Sequence, residues 1–169
     1  MDISREASQT FIFNSVPQNV NELSALPEAA LTNPFQAAAL TVLALCRYCE
    51  DVNSGIEMLN FLKGPQPLSP YEQQFLRDRL RGKAYLPYSF FAGATTQNNY
   101  VPTKPLTITV KTDPYSYAED GYAKLLIQSS GADQIRPIKL RCKGQTQWFL
   151  WEQFLLSEIR QPAASDPWA

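Results

Sequence analysis

The sequence predicts an α+β domain in which an N-terminal three-helix layer packs on a C-terminal four-stranded antiparallel meander. Three observations carry this. Asn33-Pro34 opens the run FQAAALTVLALCRYC, which is apolar almost all round. Such a helix must be enclosed by protein, and at about 16 residues it is too short to span a bilayer. Leu106, Ile108 and Val110 alternate with Thr107, Thr109 and Lys111, the period of a half-buried strand. Ile138, Leu140 and Cys142 alternate with Lys139, Arg141 and Lys143, after which Lys143-Gly144-Gln145 turns the chain into Gln147–Glu152. The helical half is the only cover available for the sheet's apolar face.

Residues 1–26 form an N-terminal extension in this reading, and 27–169 form one domain. Within the extension, Phe11 and Phe13 mark either a short extended piece or a tail that docks on the core. Asn19–Leu26 suits a short helix that stops before Pro27. In the helical half, 27–82, Asn33 is an N-cap with Pro34 at the first helical position. Glu50-Asp51 and Asn53-Ser54 start a second helix with Ile56, Leu59 and Leu62 on one face. Gly64-Pro65 ends it. Ser69-Pro70-Tyr71-Glu72 is a capping box for a third helix, which buries Phe75, Leu76 and Leu80 and closes at Gly82. Residues 83–105 read as a long loop rich in aromatics, Asn, Thr and Pro, with a short strand at Tyr88–Phe91. The sheet occupies 106–153, with a turn at Asp113-Pro114 and a strand at Ala123–Gln128. Residues 154–169 form a tail in which Trp168 is placed to dock.

Composition excludes several functions. A chain of 169 residues that is 44% hydrophobic can bury a sizeable core. A formal net charge of -1 argues against nucleic-acid binding, which needs a concentrated excess of Lys and Arg. Histidine is absent, which removes the commonest general base, metal ligand and partner of a nucleophilic Ser or Cys. No segment reads as a signal peptide or membrane span, and an odd count of three cysteines suits a reducing cytosol. The expectation is a soluble cytoplasmic protein with no membrane contact.

Candidate chemistry is sparse. Cys46-Arg47-Tyr48-Cys49 is formally a C-x-x-C, but it falls near the end of the core helix, where the dipole opposes a thiolate. Two small buried residues are the simpler reading, and no metal or cofactor is expected. Asp113, Glu119, Asp120 and Glu152 have no spacing that demands an acid–base pair, so no catalytic residue is assigned. Lys124, Lys139, Arg141 and Lys143 share the outer face of the sheet with Arg136 nearby, either a local basic stripe or an ordinary solvated face. Tyrosines and phenylalanines crowd the loop and the sheet turns. Half of them should roof the core, and the others would suit a protein-binding surface.

The phrases NPFQAAALTVLALCRY, GIEMLNFLKGPQPLSPYEQQFLRDRL, NNYVPTKPLTITV, GYAKLLIQSSGAD, RPIKLR, QWFLWEQFLLSEIRQP and the closing DPW resemble a family of uncharacterised bacterial proteins, chiefly from gut Clostridia. The family is catalogued as a domain of unknown function. The resemblance runs from about Leu26 onward, implies an intracellular bacterial protein and carries over no catalytic residue. Many relatives have Lys where Cys142 stands, which weakens any case for a thiol there.

The leading expectation is therefore a non-enzymatic interaction module that docks a protein partner through its loop and sheet edge. Its candidate surface is Tyr88, Phe91, Asn98, Asn99, Tyr100, Tyr115, Tyr117, Lys139, Arg141 and Trp151. The alternative is a cystatin-like or NTF2-like pocket for a small molecule under the sheet, with an enzymatic role as a weaker extension of it. Oligomeric state is left open.

Overall fold

The computed structural model describes residues 7–169. The predicted α+β architecture is present, and its sheet has five strands in the order β1-β2-β3-β4-β5, all antiparallel. The meander comprises β2 (Leu106–Lys111), β3 (Tyr122–Ile127), β4 (Arg136–Lys143) and β5 (Gln147–Gln153). The additional strand, β1 (Ser8–Phe13), pairs with β2 so that Phe11 lies opposite Ile108 and Phe13 opposite Leu106. Two alternating phenylalanines are too short a pattern to identify a partner in the remote second half of the chain. Both rings are buried, so the N-terminal segment belongs to the core and the first six residues lie outside the described region.

The helices follow their local signals closely. α1 (Val20–Ser24) is capped by the Asn19 side chain, and α2 (Pro34–Glu50) by Asn33, whose side chain accepts from the Gln36 N–H. α2 buries 13 of its 17 residues. It packs on α3 and on β2, β3, β4 and β5, so it fills the inner face of the sheet. α3 (Val52–Lys63) starts at Asp51 and stops at Gly64, whose φ of 68° suits a glycine. A Cβ on Gly64 would also stand 2.4 Å from the Phe149 ring, so this turn lies directly against β5. α4 (Pro70–Leu80) carries the full reciprocal capping box between Ser69 and Glu72.

Two elements differ from the sequence expectation. The segment expected as a strand at Tyr88–Phe91 instead follows a single helical turn, α5 (Tyr85–Tyr88), with Leu86, Pro87, Phe90 and Phe91 all buried. Four apolar residues in so short a run fit a turn pressed into the core as well as a strand. The long loop also has a structural task. β2 and β3 pair over only two positions, and the loop wedges into the gap where they part. On one side the Ala92 N–H donates to the Thr107 carbonyl of β2. On the other, the Ser130 N–H donates to the Ser89 carbonyl. Phe75 is the second correction within the helices, since it stays partly open while Leu76 and Leu80 are buried. In the tail, Leu155, Leu156 and Ile159 are buried but Trp168 is 92% exposed and does not dock.

Candidate functional site

The residues singled out from the sequence fall in three separate places. The loop group divides between core and surface. Phe91 and Tyr100 are buried, Tyr100 donates its hydroxyl to the Arg160 carbonyl at 2.6 Å, and its ring stacks on Tyr85. Asn98 is consumed by the loop itself. Its Nδ2 donates to the carbonyls of Gly93 and Val101, and its Oδ1 accepts from the N–H groups of Thr95 and Val101. Tyr88 reaches the Glu50 carboxylate at 3.1 Å. Asn99 is exposed in a left-handed conformation at φ 58°, the usual tolerance of Asn. The second group, Tyr115 and Tyr117, stands exposed in the β2–β3 connection.

The third group is assembled by strand register on the outer face of the sheet. Arg141 lies opposite Tyr122 on β3 and Phe149 on β5. Between β4 and β5 the register slips, because Lys139 opposes Glu152 while Leu140 opposes Leu150. Trp151 is the inserted residue, and such a bulge re-aims a side chain. It brings the Arg141 guanidinium to 4.7 Å from the Trp151 ring, with the Tyr122 ring 5.5 Å away on β3. Lys139 lies 4.6 Å from the same Tyr122 ring and donates to Glu119 at 2.6 Å. The expected basic stripe is thus partly neutralised at Lys139. Among the described residues, Arg141 and Lys143 have no ion-pair partner.

Trp151 also connects this face to a groove that sequence reasoning missed. The groove lies between α4 and β5, with a volume of about 210 Å³. Leu45, Leu59, Leu76 and Leu150 supply apolar wall, while Tyr71, Phe75 and Phe154 stand at the opening. These three rings are 79%, 37% and 45% exposed, so folding leaves aromatic surface in water around one groove. At the base sits Lys63, the last residue of α3 and almost fully buried. Its Nζ donates to Glu72 Oε2 at 2.9 Å and to the Trp151 carbonyl at 3.1 Å. Burial raises the Glu72 pKa, but the Ser69 N–H and the Lys63 ammonium outweigh it and hold the carboxyl below its usual range. The charge pair therefore fastens α3, α4 and β5 around the groove.

A second cavity of about 420 Å³ adjoins it on the β4 side and shares Lys63, Leu150 and Trp151 with it. Arg141, Cys142, Lys143 and Phe149 line this second space together with Gln66. Among the described residues no Asp or Glu lines it, whereas Glu72 and Glu152 line the first.

β5 is an edge strand, and an uncovered edge would invite strand addition. Here the chain covers part of its own edge. The Trp148 N–H donates to the Leu31 carbonyl, and Lys63 takes the Trp151 carbonyl.

The thiols are poorly suited to nucleophilic work. Burial pushes the Cys46 pKa well up, with Cys49 and Glu50 adding to it, and burial followed by Glu50 raises Cys49 to about 12. Both remain protonated at neutral pH. Among the described residues, no helix is long and apolar enough to cross a membrane. Neither a curated protein nor a solved structure matches the chain. The model of one family, described as a domain of unknown function (DUF6935), matches residues 15–163, and the chain belongs to that family.

Proposed function

We propose that the domain is a non-enzymatic protein-interaction module, and that the groove between α4 and β5 receives an extended segment of a partner protein. The observation that carries this reading is the open rim of Tyr71, Phe75 and Phe154 around an already built base. Large apolar rings are normally withdrawn from water, and rigid aromatic rims are what binding sites use as anchors. The covered β5 edge supports docking by side chains over strand addition. α2, packed along the inner face of the sheet, weighs against a ligand pocket there. Three free thiols agree with a reducing compartment such as the cytosol.

A random-peptide display library selected on the immobilised full chain tests this, counter-screened on Phe154→Ala and Tyr71→Ala. Both substitutions are at exposed positions, so the fold should persist. Selected peptides should carry an aromatic or long aliphatic residue and lose at least about tenfold in affinity on the variants, on the order of one hot-spot contact. If no peptide is enriched, or if enriched peptides bind the variants equally well, this site assignment fails.

A further inference from the structure

We infer that the two adjoining cavities are successive subsites for one acidic peptide, the first taking a bulky apolar side chain and the second an Asp or Glu side chain. This rests on the docking groove proposed above and adds the chemistry of its occupant. The two spaces share Lys63, Leu150 and Trp151, so they adjoin along β5, as neighbouring side chains of one extended peptide require.

Charge sets the order of the two subsites. The first is lined by Glu72 and Glu152, which repel an incoming carboxylate. Lys63 is already committed to Glu72 and to the Trp151 carbonyl, so it does not balance a second anion unaided. Among the described residues, the second cavity is lined by Arg141 and Lys143 without a carboxylate, and neither has an ion pair. Arg141 is also braced, because its guanidinium lies over Trp151 at 4.7 Å and near Tyr122 at 5.5 Å. A guanidinium held on ring faces keeps its in-plane N–H donors free for a carboxylate and loses less freedom when it binds one. Trp151 belongs to both subsites, which explains what the β4–β5 bulge achieves by inserting this residue.

The decisive measurement repeats the peptide selection on the wild-type chain and on Lys143→Glu, with Arg141→Glu as a second variant. Lys143 is exposed and makes no ion pair among the described residues, so its reversal should leave folding intact. Peptides selected on the wild type should carry Asp or Glu beside the apolar anchor. On either reversed chain the acidic preference should vanish or turn to Lys and Arg, while the anchor persists. Wild-type affinity for the acidic peptides should fall with added NaCl, as screening of exposed charges requires. An apolar anchor without an acidic bias overturns this inference and leaves the docking groove standing. An acidic bias that survives both reversals likewise overturns it. Competition by inorganic phosphate alone at the same concentration as the peptide would assign the second cavity to a free anion and also refute the peptide reading. Failure to enrich any peptide removes both proposals together.

Discussion

Replacing Lys63 by methionine is the sharpest probe of the groove, because it keeps the apolar stem and removes only the ammonium. Lys63 is 7% exposed, and its Nζ serves both Glu72 and the Trp151 carbonyl. Breaking a fully buried ion pair costs about 3–5 kcal/mol, chiefly through the stranded partner. Glu72 is different, since a third of its side chain reaches water and can be rehydrated. That lowers the electrostatic loss to roughly 1–2 kcal/mol, and the unpaired Trp151 carbonyl adds about 1 kcal/mol. The expected destabilisation is therefore about 2–3 kcal/mol by these estimates. Urea unfolding followed by tryptophan fluorescence measures it, with Trp148 and Trp151 on β5 as local reporters. Arg160→Met is the control. Its partner Asp133 is 84% exposed, and such a surface pair contributes about 0–1 kcal/mol. The same pair predicts a pH signature. A carboxyl whose folded pKa is depressed contributes stability above its unfolded pKa, near 4.5 for Glu72, and loses it as pH falls through the folded value. Glu72→Gln should therefore flatten the acid limb of the stability curve below about pH 5. If Lys63→Met costs no more than Arg160→Met, Lys63 is hydrated and the account of the groove base is wrong.

Three further outcomes follow from close contacts elsewhere. Gly55→Ala would place a Cβ 2.3 Å from the Tyr48 Cα, backbone against backbone, forcing α2 and α3 apart. The clash should exceed the ~1 kcal/mol that alanine normally gains in a helix, for a net loss of about 1–2 kcal/mol by denaturant titration. Tyr100→Phe removes the 2.6 Å bond to the Arg160 carbonyl but keeps the ring stack, and should lower stability by about 1–2 kcal/mol with faster amide exchange near Arg160. With its pKa at about 12, Cys49 is a thiolate in roughly one molecule in ten thousand at pH 8, so it and Cys46 should resist a thiol reagent until urea unfolds the chain. Rapid native modification of either would overturn the burial argument.

The helices and the meander were legible because their signals are local. Asn33-Pro34, Asp51 and the Ser69/Glu72 box each fix a helix start within one turn, and the alternation in 106–110 and 138–142 needs no distant partner. β1 was not legible in the same way. Phe11 and Phe13 become a strand only because β2 offers Ile108 and Leu106 across a wide sequence separation. The loop was misread for a related reason. Its tyrosines and asparagines suit a recognition surface by composition, while its structural task, bridging the gap where β2 and β3 part, falls to the backbone of Ser89 and Ala92 and depends on distant strands.

The candidate site shows the same division more plainly. Arg141 was singled out on the outer face and Trp151 as part of the candidate surface, and the bulge brings the two together. The groove itself was hidden, because Lys63, Tyr71, Glu72, Phe75 and Phe154 come from α3, α4 and the chain just after β5. One signal was available in the α4 sequence. Helical periodicity needs only Leu76 and Leu80 on the buried stripe, which leaves Tyr71 and Phe75 outside it, with the Arg79 guanidinium 5.4 Å from the Phe75 ring. A buried lysine at the end of α3 joins the two sides of the groove. Had position 63 been leucine, Glu72 would keep its capping bond from the Ser69 N–H, but nothing would hold its carboxylate and the Trp151 carbonyl to a common point. The charge pair therefore ties α3, α4 and β5, the three supports of the groove, to a common point that no stretch of local sequence reveals.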